Sequence, residues 1–249
     1  MSVDIAMWSG PRNISTAMMR AFENRPDTEV IDEPFYAAFL ARTEIDHPMR
    51  AEVLAAYETD PARVAAALTH GAPGGSPLYY QKHMTHHMLP GFPRDWMGAC
   101  RHAFLIRAPE RVLASYAAKR AEVSLEDIGF VQQGEIFDAL ADRLGAAPPV
   151  IDADDVLADP RRALAALCDA LGVPFDSAML AWPAGRRAGD GLWAPVWYDA
   201  VERSTGFSAP PGPPPRLAPR LAAIADAARP IYDRLARHRL ADSLAAPPR

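Results

Sequence analysis

The chain has 249 residues, 49% of them apolar and 23% charged, and 26 Lys and Arg against 31 Asp and Glu give a formal net charge of −5. That balance excludes wholesale disorder, and the length suits one large domain burying about 70–75% of the surface its unfolded chain would expose. No apolar run approaches the ~18–20 residues that span a bilayer, and the acidic total supplies no general attraction to nucleic acid. The N-terminus has neither the basic flank nor the apolar core of a signal peptide, so a cytoplasmic protein is expected. Cys100 and Cys168 stand far apart without a CxxC pair, so the expectation is two reduced thiols and no structural zinc or disulfide. The only lysines are Lys82 and Lys119. Coding bias toward Ala, Arg and Pro accounts for most of that skew, yet it marks Lys82 for attention.

DIAMW at 4–8 reads as a short strand, SGPRN as a turn, and ISTAMMRAFENR as a helix with Ile14, Ala17, Met18, Ala21 and Phe22 on one face. Pro26 and Asp27 stop that helix, and TEVI forms a second strand that delivers Asp32, Glu33 and Pro34. Residues 47–70 read as an Ala-rich helix, followed by the loop GAPGGSP and the strand LYYQKH. HAFLIR is a stronger strand, and PERVLASYAAKRAE is a helix with Pro109 in its first turn. A helix over 130–145, a last strand at PPVID, and a helix capped by Asp159 and opened by Pro160 complete the body.

This alternation of strands and helices predicts a three-layer α/β/α domain over 1–208 with a mostly parallel central sheet. APPGPPP at 209–215 reads as an exposed linker. Leu217, Leu221, Ile224, Ala228, Ile231 and Leu235 then define a C-terminal helix over 216–240, bent at Pro230 and packed on the domain or on a second copy, with a flexible tail at 241–249.

The run SGPRNIST between a strand and a helix places unpaired N–H groups at a helix N-terminus, where they and the helix dipole favour a phosphate or sulfate. Arg12 adds a fixed charge, Ser15 and Thr16 add hydroxyls, and the competing reading makes Asn13 a simple helix cap. Neither GxxxxGK[ST] nor GxGxxG is present, so ATP hydrolysis and dinucleotide redox chemistry lose ground.

WSGPRNIST together with IRAPERVLAS, and the later PPVIDADDVLADPRRALAALCDALGVPF ending in Leu171, Gly172, Val173, Pro174 and Phe175, resembles the bacterial branch of the sulfotransferases that use 3′-phosphoadenosine-5′-phosphosulfate (PAPS). The resemblance covers residues 3–207. It implies a P-loop NTPase-like fold, PAPS as co-substrate without a metal, and a small-molecule acceptor. Gly10, Pro11, Arg12, Asn13, Ile14, Ser15 and Thr16 would hold the 5′-phosphosulfate, and Arg107 and Ser115 the 3′-phosphate. Arg186, Arg187 and Gly191 match, loosely, the family's mobile loop over the nucleotide. Arg12 stands where many relatives have Lys, and Ala108 where an Asp is usual.

For the base, DEPF at 32–35 resembles a family segment in which a Glu serves, so Glu33 is one candidate, with capping of a helix begun by Pro34 as its structural alternative. His83 is the rival, because QKHMTHHMLP resembles a family run in which Lys assists the leaving group and His is the base. That gives Lys82 a leaving-group role. His83, His86 and His87 would share a helix face, but no carboxylate follows at H-E-x-x-H spacing, and no metal is expected. Two other readings stay open: a P-loop nucleotide kinase, and a silent nucleotide-binding module that keeps the fold.

Overall fold

The computed structural model describes residues 2–120, 122–210 and 212–240. In chain order the elements are β1 (Val3–Ser9), α1 (Ser15–Glu23), β2 (Thr28–Asp32), α2 (Tyr36–Arg42), α3 (Arg50–Ala56), α4 (Pro61–Ala67) and β3 (Leu78–Met84). β4 (Arg101–Ile106), α5 (Pro109–Ala117), α6 (Phe130–Leu144), β5 (Val150–Asp152), α7 (Ala153–Ala158), α8 (Pro160–Ala170), α9 (Ala194–Trp197), α10 (Asp199–Glu202) and α11 (Pro219–Ala236) follow.

The five strands form one parallel sheet in the order β2-β3-β1-β4-β5. Side chains alternate across β1, so Ile5 and Met7 join Met18 and Phe22 of α1 and Leu164 and Leu167 of α8 on one face. Ala6 and Trp8 join Ala38 of α2, Ile136 and Phe137 of α6 and Leu235 of α11 on the other. Both faces are covered, which is why the central strands β1 and β4 carry the unbroken apolar stretches IAMW and AFLI. The α/β/α layering anticipated from the alternation is the architecture found.

Several local expectations are corrected. The single helix over 47–70 is two, because Asp60 accepts the Ala62 N–H and Pro61 opens a fresh helix. α2 corresponds to the helix weighed after Pro34 as the alternative role for Glu33, displaced by two residues. It begins at Tyr36, so Pro34 opens no helix and Glu33 caps none. Asn13 is not the cap of α1: that position belongs to Ile14, and the Asn13 amide instead donates to the Leu105 carbonyl. His83 lies in β3 while His86 and His87 lie on a 3₁₀ turn at Thr85–His87, so the three share no helix face.

The helix α11 runs through Pro230, and Leu217, Leu221, Ile224, Ala228 and Ile231 pack on Val112, Leu113 and Phe130 of α5 and α6. Residues 209, 210 and 212–214 are exposed and irregular, and 241–249 lie outside the described residues. Among the described residues no helix is long and apolar enough to cross a membrane.

Parallel register gathers the useful residues at one edge. Asp32 stands beside Lys82 and Ser9 beside both Met84 and Leu105, so the chain leaves β1, β2, β3 and β4 at the same end of the sheet. β1 lies between β3 and β4, and the crevice beyond its C-terminal end is where open α/β sheets bind ligands.

Candidate active site

The loop from Gly10 to Ile14 is tightly constrained. A Cβ at Gly10 would lie 2.5 Å from the Ile128 carbonyl oxygen, so only glycine fits. Arg12 and Ile14 both adopt left-handed backbone, at φ 62° and 57°, which non-glycine residues seldom do. Arg107 Nη1 donates to the Arg12 carbonyl at 2.7 Å, and Arg12 Nε donates to Ser115 Oγ at 2.9 Å. The loop thereby delivers α1 with no side chain capping its first N–H groups. Those donors, the Ser15 and Thr16 hydroxyls and the positive end of the helix dipole have the chemistry to hold an anion.

Two cations complete it. Burial holds the Arg12 guanidinium below its usual pKa, with only a weak opposing pull from Asp199, and burial acts the same way on Arg107. Among the described residues neither forms an ion pair with a carboxylate, and Arg107 Nε is buried without a hydrogen-bond partner. A half-buried cation in that condition suits an anion from outside the chain.

The second group lies where β2 ends. Lys82 is 1% exposed, and its ammonium donates to Asp32 Oδ1 at 2.7 Å, Glu33 Oε1 at 2.6 Å and the Tyr198 hydroxyl at 2.7 Å. Tyr198 donates in turn to Asp32 Oδ2 at 2.7 Å and accepts from Trp193 Nε1 at 3.0 Å. The Gly191 N–H donates to Asp32 Oδ2 at 3.1 Å.

Burial pushes the Glu33 carboxyl above its usual range against the pull of Lys82. Burial works to lower Lys82 too, but Asp32 and Glu33 outweigh it and keep the ammonium charged. Glu33 has φ 47°, a left-handed turn out of the strand. His87 Nδ1 stands 4.0 Å from Glu33 Oε2, and burial lowers that imidazole well below its ordinary value, so it is neutral at pH 7.

Both groups line one cavity of about 620 Å³. Its lining includes Pro11 to Ala17 and Arg107 from the anion site, Glu33 and Lys82 from the second group, and the rings of Tyr36, His47, His87, Trp193, Trp197 and Tyr198. Arg203 and residues Ser204 to Ser208 also border it.

Six residues singled out from the sequence do not line this space. Gly10 shapes the loop from behind, and Ser115 acts on it through Arg12. His83 alternates to the opposite face of β3 from Lys82, where it stacks on Trp8 at 4.5 Å and lies against Trp96 and Phe35. It is 2% exposed, burial lowers its pKa to about 3, and it cannot reach a substrate in the cavity.

Arg186 points outward, 3.8 Å from Glu202. Arg187 and Gly191 sit in a segment pinned elsewhere: Arg187 N–H bonds Asp190, which forms a fully buried ion pair with Arg20 of α1, and a Cβ on Gly191 would enter the Trp193 ring. Arg203, Tyr198 and Asp32 were missed as members of the site. Tyr198 and Arg203 follow Arg186, Arg187 and Gly191 in a stretch also rich in Trp, but no spacing rule separates them from its other members.

A profile of the sulfotransferase domain matches residues 3–239. The chain belongs to the sulfotransferase domain family. Solved sulfotransferase folds superpose along nearly the full length. The sulfotransferase domain from the curacin biosynthetic pathway is 16% identical, with a TM-score of 0.56 over 91% of this chain and 97% of that one. The sulfotransferase from Alicyclobacillus acidocaldarius is 13% identical, with a TM-score of 0.57 over 95% of each. At such identities the likeness concerns the fold.

Two Arabidopsis thaliana proteins, branched-chain-amino-acid aminotransferase-like proteins 1 and 2, are 42% and 41% identical over 206 residues, or 83% of this chain. The chain spans only 37% and 36% of their lengths.

Proposed function

We propose that this sulfotransferase-family chain moves a sulfuryl group from PAPS to a hydroxyl or amine of a small acceptor, with Glu33 as the base. The observation that carries the reading is the single cavity shared by an anion site and a buried carboxylate. The co-substrate supplies a sulfuryl group in anhydride linkage to its 5′-phosphate.

The unpartnered Arg107 Nε, the desolvated Arg12 and the uncapped start of α1 suit such a ligand. They are fixed before it arrives, so little reorganisation is needed as charge develops on the leaving phosphate oxygen. Glu33, raised toward neutrality by burial, takes the acceptor proton as the acceptor–sulfur bond forms and the bridging sulfur–oxygen bond breaks, its electron pair leaving on the phosphate. The rings of Tyr36, Trp193 and Trp197 favour an acceptor with a flat or apolar body.

Binding to the native state raises apparent stability, so thermal melts with the desulfated product, 3′-phosphoadenosine-5′-phosphate, set beside ADP and ATP with Mg²⁺, test the donor. Stabilisation by ATP and Mg²⁺ alone refutes it. A Glu33→Gln variant should keep that binding while turnover falls at least ~100-fold. Full turnover in this variant would remove Glu33 from the mechanism.

A further inference from the structure

An ammonium has three N–H donors and no acceptor. In Lys82 all three are engaged, one each by Asp32 of β2, Glu33 at its end, and Tyr198 between α9 and α10. None remains for a phosphate or sulfate oxygen. The tyrosine is itself fixed, by its own donation to Asp32 and by the Trp193 indole. Asp32 is fixed from a third direction by the Gly191 backbone. The cluster is thus a closed frame with one member, Glu33, facing the cavity as a potential reactant, while Arg12 and Arg107 are the cations with unused capacity.

We infer that Lys82 is a positioning residue that acts through Glu33 rather than on the leaving group, and that Asp32 and Tyr198 are the residues that aim it. The inference rests on the proposed transfer reaction with Glu33 as base. It replaces the leaving-group role expected for Lys82 from the sequence and assigns work to two residues that the sequence did not single out.

The frame holds the Glu33 carboxylate in one orientation and supplies the positive charge that lets it ionise despite burial. Every charged or titratable group facing Glu33 belongs to this account: Asp32 from β2, Lys82 from β3, His87 from the 3₁₀ turn, Tyr36 from α2 and Tyr198 from the late segment. His87 is neutral and Tyr36 is held protonated by burial, so Lys82 is the cation that counts.

Tyr198→Phe separates the two roles, because it deletes one acceptor and frees one Lys82 N–H. If Lys82 positions Glu33, kcat falls about 10-fold, the acid limb of the kcat/KM profile moves to higher pH, and the affinity for 3′-phosphoadenosine-5′-phosphate stays within about 2-fold. If Lys82 is a leaving-group donor, the freed proton leaves kcat unchanged or raised and the acid limb in place, which overturns the inference.

A second arm needs no turnover. Lys82→Met, made in the Glu33→Gln background so that one stranded carboxylate is already neutral, should bind the same product by calorimetry within about 2-fold of the Glu33→Gln protein. A loss of 10-fold or more shows Lys82 contacting the nucleotide and sinks the proposal. Should the wild-type protein bind the product yet transfer sulfate to no acceptor, the proposed reaction fails, and this second arm still decides where Lys82 acts.

Discussion

Replacing Asp190 by Asn should destabilise the protein far more than its place in an irregular segment suggests. The side chains of Asp190 and Arg20 are both fully buried and meet at 2.6 Å. Burial alone would lower the Arg20 pKa, but Asp190 and then Glu23 outweigh it and hold it raised. Removing one partner of a buried pair leaves an uncompensated charge, which costs about 3–5 kcal/mol. Glu23 remains 2.9 Å from Arg20 with a side chain 16% exposed, so the loss belongs at the lower end, about 3 kcal/mol.

Unfolding entropy is about 2.1 cal/mol/K per residue, or roughly 0.5 kcal/mol/K for a chain of this length, so the midpoint should fall by about 6 °C. Scanning calorimetry reads this directly. The shift should survive about 0.5 M salt, because a buried pair is poorly screened. Replacing both residues by leucine should recover most of it. A drop below about 2 °C, or one that vanishes in salt, refutes the claim that this pair anchors the segment carrying Gly191 to α1.

Gly10→Ala should weaken product binding by at least about 10-fold and lower stability by about 1–3 kcal/mol, because the clash is with backbone and no rotamer relieves it. Calorimetric titration and a melt check both parts, and wild-type affinity would show that the loop yields.

Stability should also fall as pH drops below about 6.5. Burial lowers His47 to about 4 and His83 and His86 to about 3, so the unfolded state takes up their protons first. Their contribution is complete above the unfolded value and is lost as pH falls to about 4 for His47 and about 3 for His83 and His86, at no less than about 1 kcal/mol per pH unit around pH 5. Urea midpoints that are flat between pH 7.5 and 5 would contradict it.

The fold was legible where a local rule and the global layout agree. Alternating apolar strands, the SGPRN turn and the Asp159–Pro160 start needed no tertiary information, and Asp159 does cap α8. The same Asp–Pro signal stood at Asp60–Pro61 and would have split the long helix. The seven residues of α2 offered too short a period to fix where the helix after Pro34 begins.

In the site, Lys82 and His83 were grouped by a motif, although LYYQKH was read as a strand and adjacent strand residues face opposite ways. Strand periodicity already contained that correction. The partnership of Lys82 with Asp32 and Tyr198 did not lie in the sequence, since it depends on the β2–β3 register and on a segment more than a hundred residues later.

Among the described residues four non-glycine positions have left-handed backbone, and three of them, Arg12, Ile14 and Glu33, line the cavity. Each costs of order 1 kcal/mol, so the protein is least relaxed around this cavity. Selection for heat resistance alone would therefore drift toward glycine at Arg12, relieving both its left-handed backbone and a half-buried, unpaired charge while removing a cation from this cavity. The hardier variants from such a selection should be the slower ones, and the trade-off would be written in the backbone of one short loop.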